Sequence, residues 1–182
     1  MDLPAWNRVL LDRLKADARP QRRLYLYVDR ETLASVAGLD AGAAVEDFSR
    51  AFRDACGRQP FECAYLDARR WKASGWLGDP PIIAALAMTV LAVTEMPLGH
   101  VSSVYPRQNE LLGLPIDGGM PPDYDLHVPG IWRIWNEWLE GAGAYLGLPS
   151  AAPSSHYTNQ GWARSQGPVT YTHLTLPTIW SV

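Results

Sequence analysis

The longest apolar run of the chain lies between Asp79 and Met96 and predicts a buried central helix. From Ile82 onward the residues are apolar on every side, a pattern typical of a helix surrounded by protein. Asp79 and the two prolines after it have the composition of a helix start, and the proline after Met96 marks a stop. The run falls short of the roughly 20 apolar residues that a membrane span needs. We therefore expect a helical core around a buried helix at residues 80–96.

A second helical pattern begins at Pro129 and ends near Leu148. Apolar residues recur at intervals of three and four along one arc, and charged residues lie opposite. The arc includes Trp132, Trp135 and Trp138, and side chains of this size bury some 150–250 Å² each. We expect this tryptophan helix to clamp the central helix. The alternative interpretation is a groove for a ligand or a partner helix.

The N-terminal half mixes helical and strand patterns. An amphipathic helix is predicted at residues 3–18, and a helix opened by an aspartate and closed by a glycine at residues 40–56. Aromatic and branched residues predict strands at 24–28 and 61–66. A strand, a helix and a strand in this order indicate a small parallel pair with a right-handed crossover. The predicted fold class is α+β, mainly helical, with a two-stranded βαβ element near the N-terminus.

Candidate chemistry is confined to one irregular segment. The loop at residues 117–127 is rich in glycine and proline, and it places His127 beside Asp123 and Asp125. A histidine near carboxylates is the arrangement that general acid–base catalysis uses, although a lone loop histidine is more often simply solvated. These three residues are the catalytic candidates.

Two cysteines, Cys56 and Cys63, are compatible either with a disulfide bond or with reduced, partly buried thiols. For a cytoplasmic chain the reduced form is the expected one. Their spacing does not combine with any histidine into a recognisable set of zinc ligands. We expect no metal site and no bound cofactor.

The composition of the chain argues against two classes of partner, nucleic acids and membranes. The formal net charge is −3, and 47% of the residues are hydrophobic, which argues against disorder. Arg19, Arg22 and Arg23 form the only basic run, which we interpret as a solvated face around a loop. Since phosphate backbones are bound by clustered positive charge, the composition argues against nucleic acid. The chain opens without the basic and apolar sequence of a secretory signal, which favours a cytoplasmic protein without a membrane contact.

The last fourteen residues differ in composition from the rest of the chain. Residues 169–182 are rich in threonine and contain no acidic or basic side chain. They resemble the translation of the transposase adapter used to build DNA sequencing libraries, with Thr170 where the usual translation has serine. The resemblance implies adapter read-through, and such segments are excluded from fold reasoning. We therefore expect the chain to be truncated and the natural protein to continue past Pro168.

Four short motifs are spread over the body of the chain: Pro80-Pro81 before an apolar helix that ends at Met96, Asn109-Glu-Leu-Leu-Gly-Leu114, Ile131-Trp132 with Trp138-Leu139, and Trp162-Ala-Arg-Ser-Gln166. Through these packing and turn motifs, residues 25–166 resemble the N-terminal region of large, multidomain bacterial proteins found among anti-phage defence genes. The resemblance implies a parent protein whose effector domain lies further along the chain. It assigns no catalytic residue.

The domain organisation follows from these observations. We interpret residues 1–149 as a single globular domain, 150–168 as a connector into a missing C-terminal part, and 169–182 as the adapter-derived tail. The leading functional hypothesis is a non-catalytic N-terminal interaction or regulatory module of a larger cytoplasmic bacterial protein, in contact with its own missing domains or another protein. The alternatives are an enzyme of unknown reaction that uses the 117–127 loop, and a nucleic-acid-binding module.

Truncation also predicts a surface feature. If a covering domain is absent, part of the apolar surface of the tryptophan helix should be uncovered. We therefore expect Trp132, Trp135 and Trp138 to form an exposed apolar patch, which would be a possible partner surface.

Overall fold

A computed structural model describes residues 1–17, 26–57, 59–95, 104–117, 119–121 and 123–141. Within these residues the chain is 74% helical and contains no strand. The helices are α1 Leu3–Asp17, α2 Arg30–Ala37, α3 Ala41–Cys56, α4 Pro60–Ala73, α5 Ile83–Thr94, α6 Tyr105–Leu112 and α7 Tyr124–Glu140. The predicted connector at 150–168 and the tail at 169–182 lie outside the described residues, so the domain boundaries stay a prediction.

The predicted βαβ element is wrong. Residues 26–29 have no regular secondary structure, and residues 61–66, expected to form the second strand, lie inside α4. Pro60 occupies the first turn of this helix, where its missing N–H costs nothing. The buried residues that follow are Phe61, Ala64, Ala68 and Trp71. Their spacing of three and four buries one side of a helix, whereas a strand would bury every second residue.

The central apolar helix is confirmed. Every residue of α5 from Ile83 to Ala92 is buried, and the helix packs against α1, α3 and α6. Its start differs from the expectation, because Asp79 is exposed and the helix begins four residues later. The side chain of Asn7 in α1 accepts a hydrogen bond from the Ala84 N–H at 2.8 Å. A neighbouring helix, and not the adjacent aspartate, thus satisfies one of the free N–H groups at this end.

The ends of α3 follow the local sequence, as predicted, and the C-terminal end of α6 also follows its local sequence. Asp40 Oδ1 accepts a hydrogen bond from the Ala43 N–H at 3.0 Å, which caps the start of α3. Gly57 follows its last residue with φ of 64°, and Gly113 ends α6 with φ of 67°. Both values lie in the left-handed region that favours glycine. These boundaries depend on residues within a few positions of each helix end.

The tryptophan helix, α7, begins earlier than expected. It starts at Tyr124, so that Pro129 lies inside the helix. Its backbone runs closest to α4, where the sequence had suggested the central helix as its partner. Trp138 packs against Trp71 of α4 at a ring-centroid distance of 5.3 Å and against Trp135 at 5.0 Å. These contacts between tryptophan side chains therefore hold α7 against α4.

The expected exposed patch of tryptophans is also wrong. Trp132, Trp135 and Trp138 are 0%, 2% and 2% exposed. Trp138 packs against Trp71 of α4, and Trp71 in turn packs against Trp76 of the segment that follows α4. Any partner surface on this part of the molecule must be made by other residues.

Candidate functional site

Asp123, one of the three catalytic candidates, has a role in holding α4 in place. Its side chain is almost fully buried, and Oδ2 accepts hydrogen bonds from the N–H groups of Phe61 and Glu62, each at 2.8 Å. These are two of the N–H groups at the start of α4 that have no partner within the helix. A carboxylate there also interacts favourably with the helix dipole. Asp123 is thus a cap supplied by the beginning of α7 to another helix.

His127 is directed toward a tyrosine. Its ring lies 5.2 Å from that of Tyr65, with an angle of 30° between the planes, and its Nδ1 atom is buried without a hydrogen-bond partner among the described residues. Neither Asp123 nor Asp125 is therefore hydrogen-bonded to Nδ1. The structure places Asp125 and His127 in the first turn of α7 and Asp123 directly before it, and it does not arrange them as an acid–base pair. Sequence proximity had suggested the pairing.

The contact between α4 and α7 creates a mixed aromatic and charged surface that the sequence did not indicate. Tyr65 lies against Gly130 on one side and His127 on another, and the guanidinium of Arg69 lies 6.0 Å from the centre of the Tyr65 ring. Next to His127, the side chain of Leu126 is 75% exposed. We name Tyr65, Arg69, Leu126 and His127 the α4–α7 face. Tyr65 and Arg69 are four residues apart in α4, and Leu126 and His127 are adjacent in α7. Such spacings are too common in helices for the sequence to mark these residues as a surface.

The close approach at Gly130 gives a direct test of this geometry. A methyl group added there would lie 2.5 Å from Tyr65 Cε2, which is closer than carbon atoms can approach. We expect Gly130→Ala to lower the free energy of unfolding by about 1–3 kcal/mol, measured by urea denaturation. In a Tyr65→Ala background the obstructing ring is gone, and the same substitution should be neutral or stabilising by up to about 1 kcal/mol, because alanine favours helix. Equal costs in both backgrounds would contradict the contact.

A separate cluster of ion pairs joins three helix ends. The buried carboxylate of Glu95, just after α5, pairs with Arg30 at the start of α2 and Arg107 in α6, and Arg107 also pairs with Glu110. Burial opposes the charge on Arg107, but Glu110 and Glu95 outweigh this and raise its pKa. The residues border an open cavity of about 500 Å³. Because the arginines are already paired with carboxylates, the cluster holds the helices together.

A cavity of about 1050 Å³ is open to solvent and lies beside the junction of α3 and α4. Cys56, Cys63 and Glu62 border it, together with Gly113 and Leu114 from the segment after α6. The Cys63 thiol donates a long hydrogen bond of 3.9 Å to the carbonyl oxygen of Ala55. Both cysteines are free thiols and partly buried in this structure, as expected from the sequence.

Comparisons with known proteins add no assignment. No family model, no curated protein and no solved structure matches the chain. Among the described residues, no helix has the length and apolar character needed to cross a membrane. The same residues contain no group of three or more histidine, cysteine, aspartate or glutamate side chains placed to hold a metal ion.

Proposed function

We propose that this chain is a non-catalytic module of a larger bacterial protein and that it acts by contacting another protein segment through the α4–α7 face. The observation that supports this proposal is the 75% exposure of Leu126, the residue before His127 in α7, together with the contact between the His127 and Tyr65 rings. The alternative of an enzyme using the 117–127 loop has less support, since the Asp123 carboxylate is occupied in capping α4.

The side chains of the α4–α7 face suit protein contact. Burying a leucine that is 75% exposed would contribute about 1.5–3 kcal/mol to association. Tyrosine and arginine are enriched among the residues that dominate binding energy in interfaces. Tyr65 is held by Gly130 and His127, so little side-chain entropy remains to be lost when a partner binds.

The chemistry of the face indicates the complementary partner. Arg69 is exposed, and its guanidinium lies over the Tyr65 ring with no carboxylate beside it among the described ion pairs. A partner should therefore offer an apolar pocket for Leu126 and a carboxylate for Arg69. We propose that this partner is the polypeptide encoded after codon 168 of the natural gene, which the adapter resemblance of residues 169–182 implies.

The experiment starts from the source DNA. Reading the gene past codon 168 gives the downstream polypeptide, which is expressed separately and titrated with the 182-residue chain by calorimetry. We expect Leu126→Asp to raise the Kd at least about tenfold, a loss of about 1.4 kcal/mol. Leu77→Asp is the matched control, because Leu77 is equally exposed, at 76%, and lies outside the α4–α7 face.

Three outcomes would contradict the proposal. A gene that ends at the same codon would encode no downstream polypeptide to bind. Equal effects of Leu126→Asp and Leu77→Asp would place the contact elsewhere. Turnover of nucleotides, nucleic acids or esters by the chain, abolished by His127→Ala, would instead favour the enzyme alternative.

A further inference from the structure

The replacement of the predicted second strand by α4 brings two thiols together. Cys56 is the last residue of α3, and Cys63 lies at the beginning of α4. Both border the same open cavity, and Cys63 Sγ lies 3.9 Å from the carbonyl oxygen of Ala55, the residue before Cys56. The pair is therefore a dithiol that solvent can reach.

The two sulfurs differ in their surroundings. Burial raises the pKa of Cys56 well above the ordinary value of a thiol, and the neighbouring Cys63 raises it further. Cys56 also lies at the C-terminal end of α3, where the helix dipole disfavours negative charge. Since the thiolate is the nucleophilic form of cysteine, Cys56 is poorly suited to attack first.

We propose that Cys56 and Cys63 are a redox modification site, in which hydrogen peroxide oxidises Cys63 and Cys56 then closes a reversible disulfide bond. In the first step the Cys63 sulfur attacks one peroxide oxygen, the O–O bond breaks, and the products are a sulfenic acid on Cys63 and one water. In the second step the Cys56 sulfur attacks the Cys63 sulfur, the S–O bond breaks, and a second water leaves. Overall, two thiols are oxidised by two electrons and one peroxide is reduced to two waters.

The disulfide would fix the junction between α3 and α4. Cys63 lies directly after Phe61 and Glu62, whose N–H groups bind Asp123, so the bond would tether the capped first turn of α4 to the end of α3. A covalent link restricts the unfolded chain more than the folded one. We therefore expect the oxidised chain to have a higher Tm than the reduced chain, and dithiothreitol to reverse the increase.

Peptide mapping tests the bond without any substitution. The reduced 182-residue chain is treated with one equivalent of hydrogen peroxide, blocked with a maleimide and digested with trypsin under non-reducing conditions. The expected product joins peptide 54–58 to peptide 59–69, with a mass lower than their sum by two hydrogen atoms. Separate, maleimide-blocked peptides, or disulfides between two chains, would overturn the proposal.

Two matched variants test the order of the steps. Cys56→Ser should stop at the sulfenic acid, which a cyclic 1,3-dione traps on Cys63. Cys63→Ser should react with peroxide at least about tenfold more slowly, because the remaining thiol is rarely ionised. Equal trapping rates in the two variants would overturn the assigned order, and faster trapping on Cys56 would reverse it. Circular dichroism of each variant establishes that the helices are intact.

Discussion

Trp138→Ala will lower the free energy of unfolding by about 3–5 kcal/mol, the cost typical of removing a large buried aromatic side chain. Trp138 is 2% exposed and contacts both Trp71 and Trp135, so its loss leaves a cavity between α4 and α7. Urea denaturation followed by far-UV circular dichroism measures the change. For a domain of marginal stability such a loss approaches complete unfolding.

Two control substitutions test whether the loss of stability is specific to the packing of Trp138. Trp138→Phe keeps an aromatic ring in the same space and should cost clearly less than the alanine substitution. Leu77→Ala removes an exposed side chain and should change stability by no more than about 0.5 kcal/mol. A Trp138→Ala protein as stable as the Leu77→Ala protein would show that the indole is not part of the core.

Asp123→Ala will lower the free energy of unfolding by about 2–4 kcal/mol. The substitution removes two hydrogen bonds from backbone N–H groups to a carboxylate, and bonds to charged groups contribute about 1.5–3 kcal/mol each. The N–H of Phe61 is buried and would be left without a partner. Thermal and urea denaturation measure the loss, and hydrogen exchange at residues 61 and 62 should become faster than in the unmodified chain.

Asparagine is the informative second substitution at this position. Asp123→Asn retains a side-chain oxygen that can accept one or both hydrogen bonds without the negative charge, so it should recover part of the lost stability. Asp117→Ala, at an exposed aspartate of the neighbouring loop, is the control and should have little effect. If Asp123→Ala left stability unchanged while abolishing some measured turnover, the carboxylate would have a catalytic role and the capping interpretation would fail.

Residues 61–66, which were expected to form a strand, carry two overlapping patterns. Phe61 and Tyr65 favour a strand by residue type, yet Phe61, Ala64 and Ala68 have the spacing of a helix face. Over six residues the two patterns cannot be separated. The deciding interactions come from Asp123, which is 62 residues from Phe61 in sequence, and from the packing of α4 on α7.

The candidate site was missed for the same reason. The sequence paired His127 with two nearby carboxylates because adjacency is all that a sequence displays. In the structure Asp123 binds the start of α4, and the His127 ring contacts the ring of Tyr65. The proximity of Cys56 and Cys63 likewise follows only from the structure, which places Cys63 in α4 beside the end of α3.

The sequence alone determined the features that depend on neighbouring residues. Asp40 and Gly57 set the two ends of α3, and Gly113 ends α6. The apolar residues on every side of α5 require that this helix be buried. These follow from hydrogen bonds within one turn and from the cost of exposing apolar surface.

Only the tertiary structure decided how the helices meet. It places Asn7 at the start of α5, Asp123 at the start of α4 and Tyr65 against Gly130. Each of these contacts joins residues more than 60 positions apart in the chain. Their encounter depends on the packing of whole helices, which no local pattern of residues encodes.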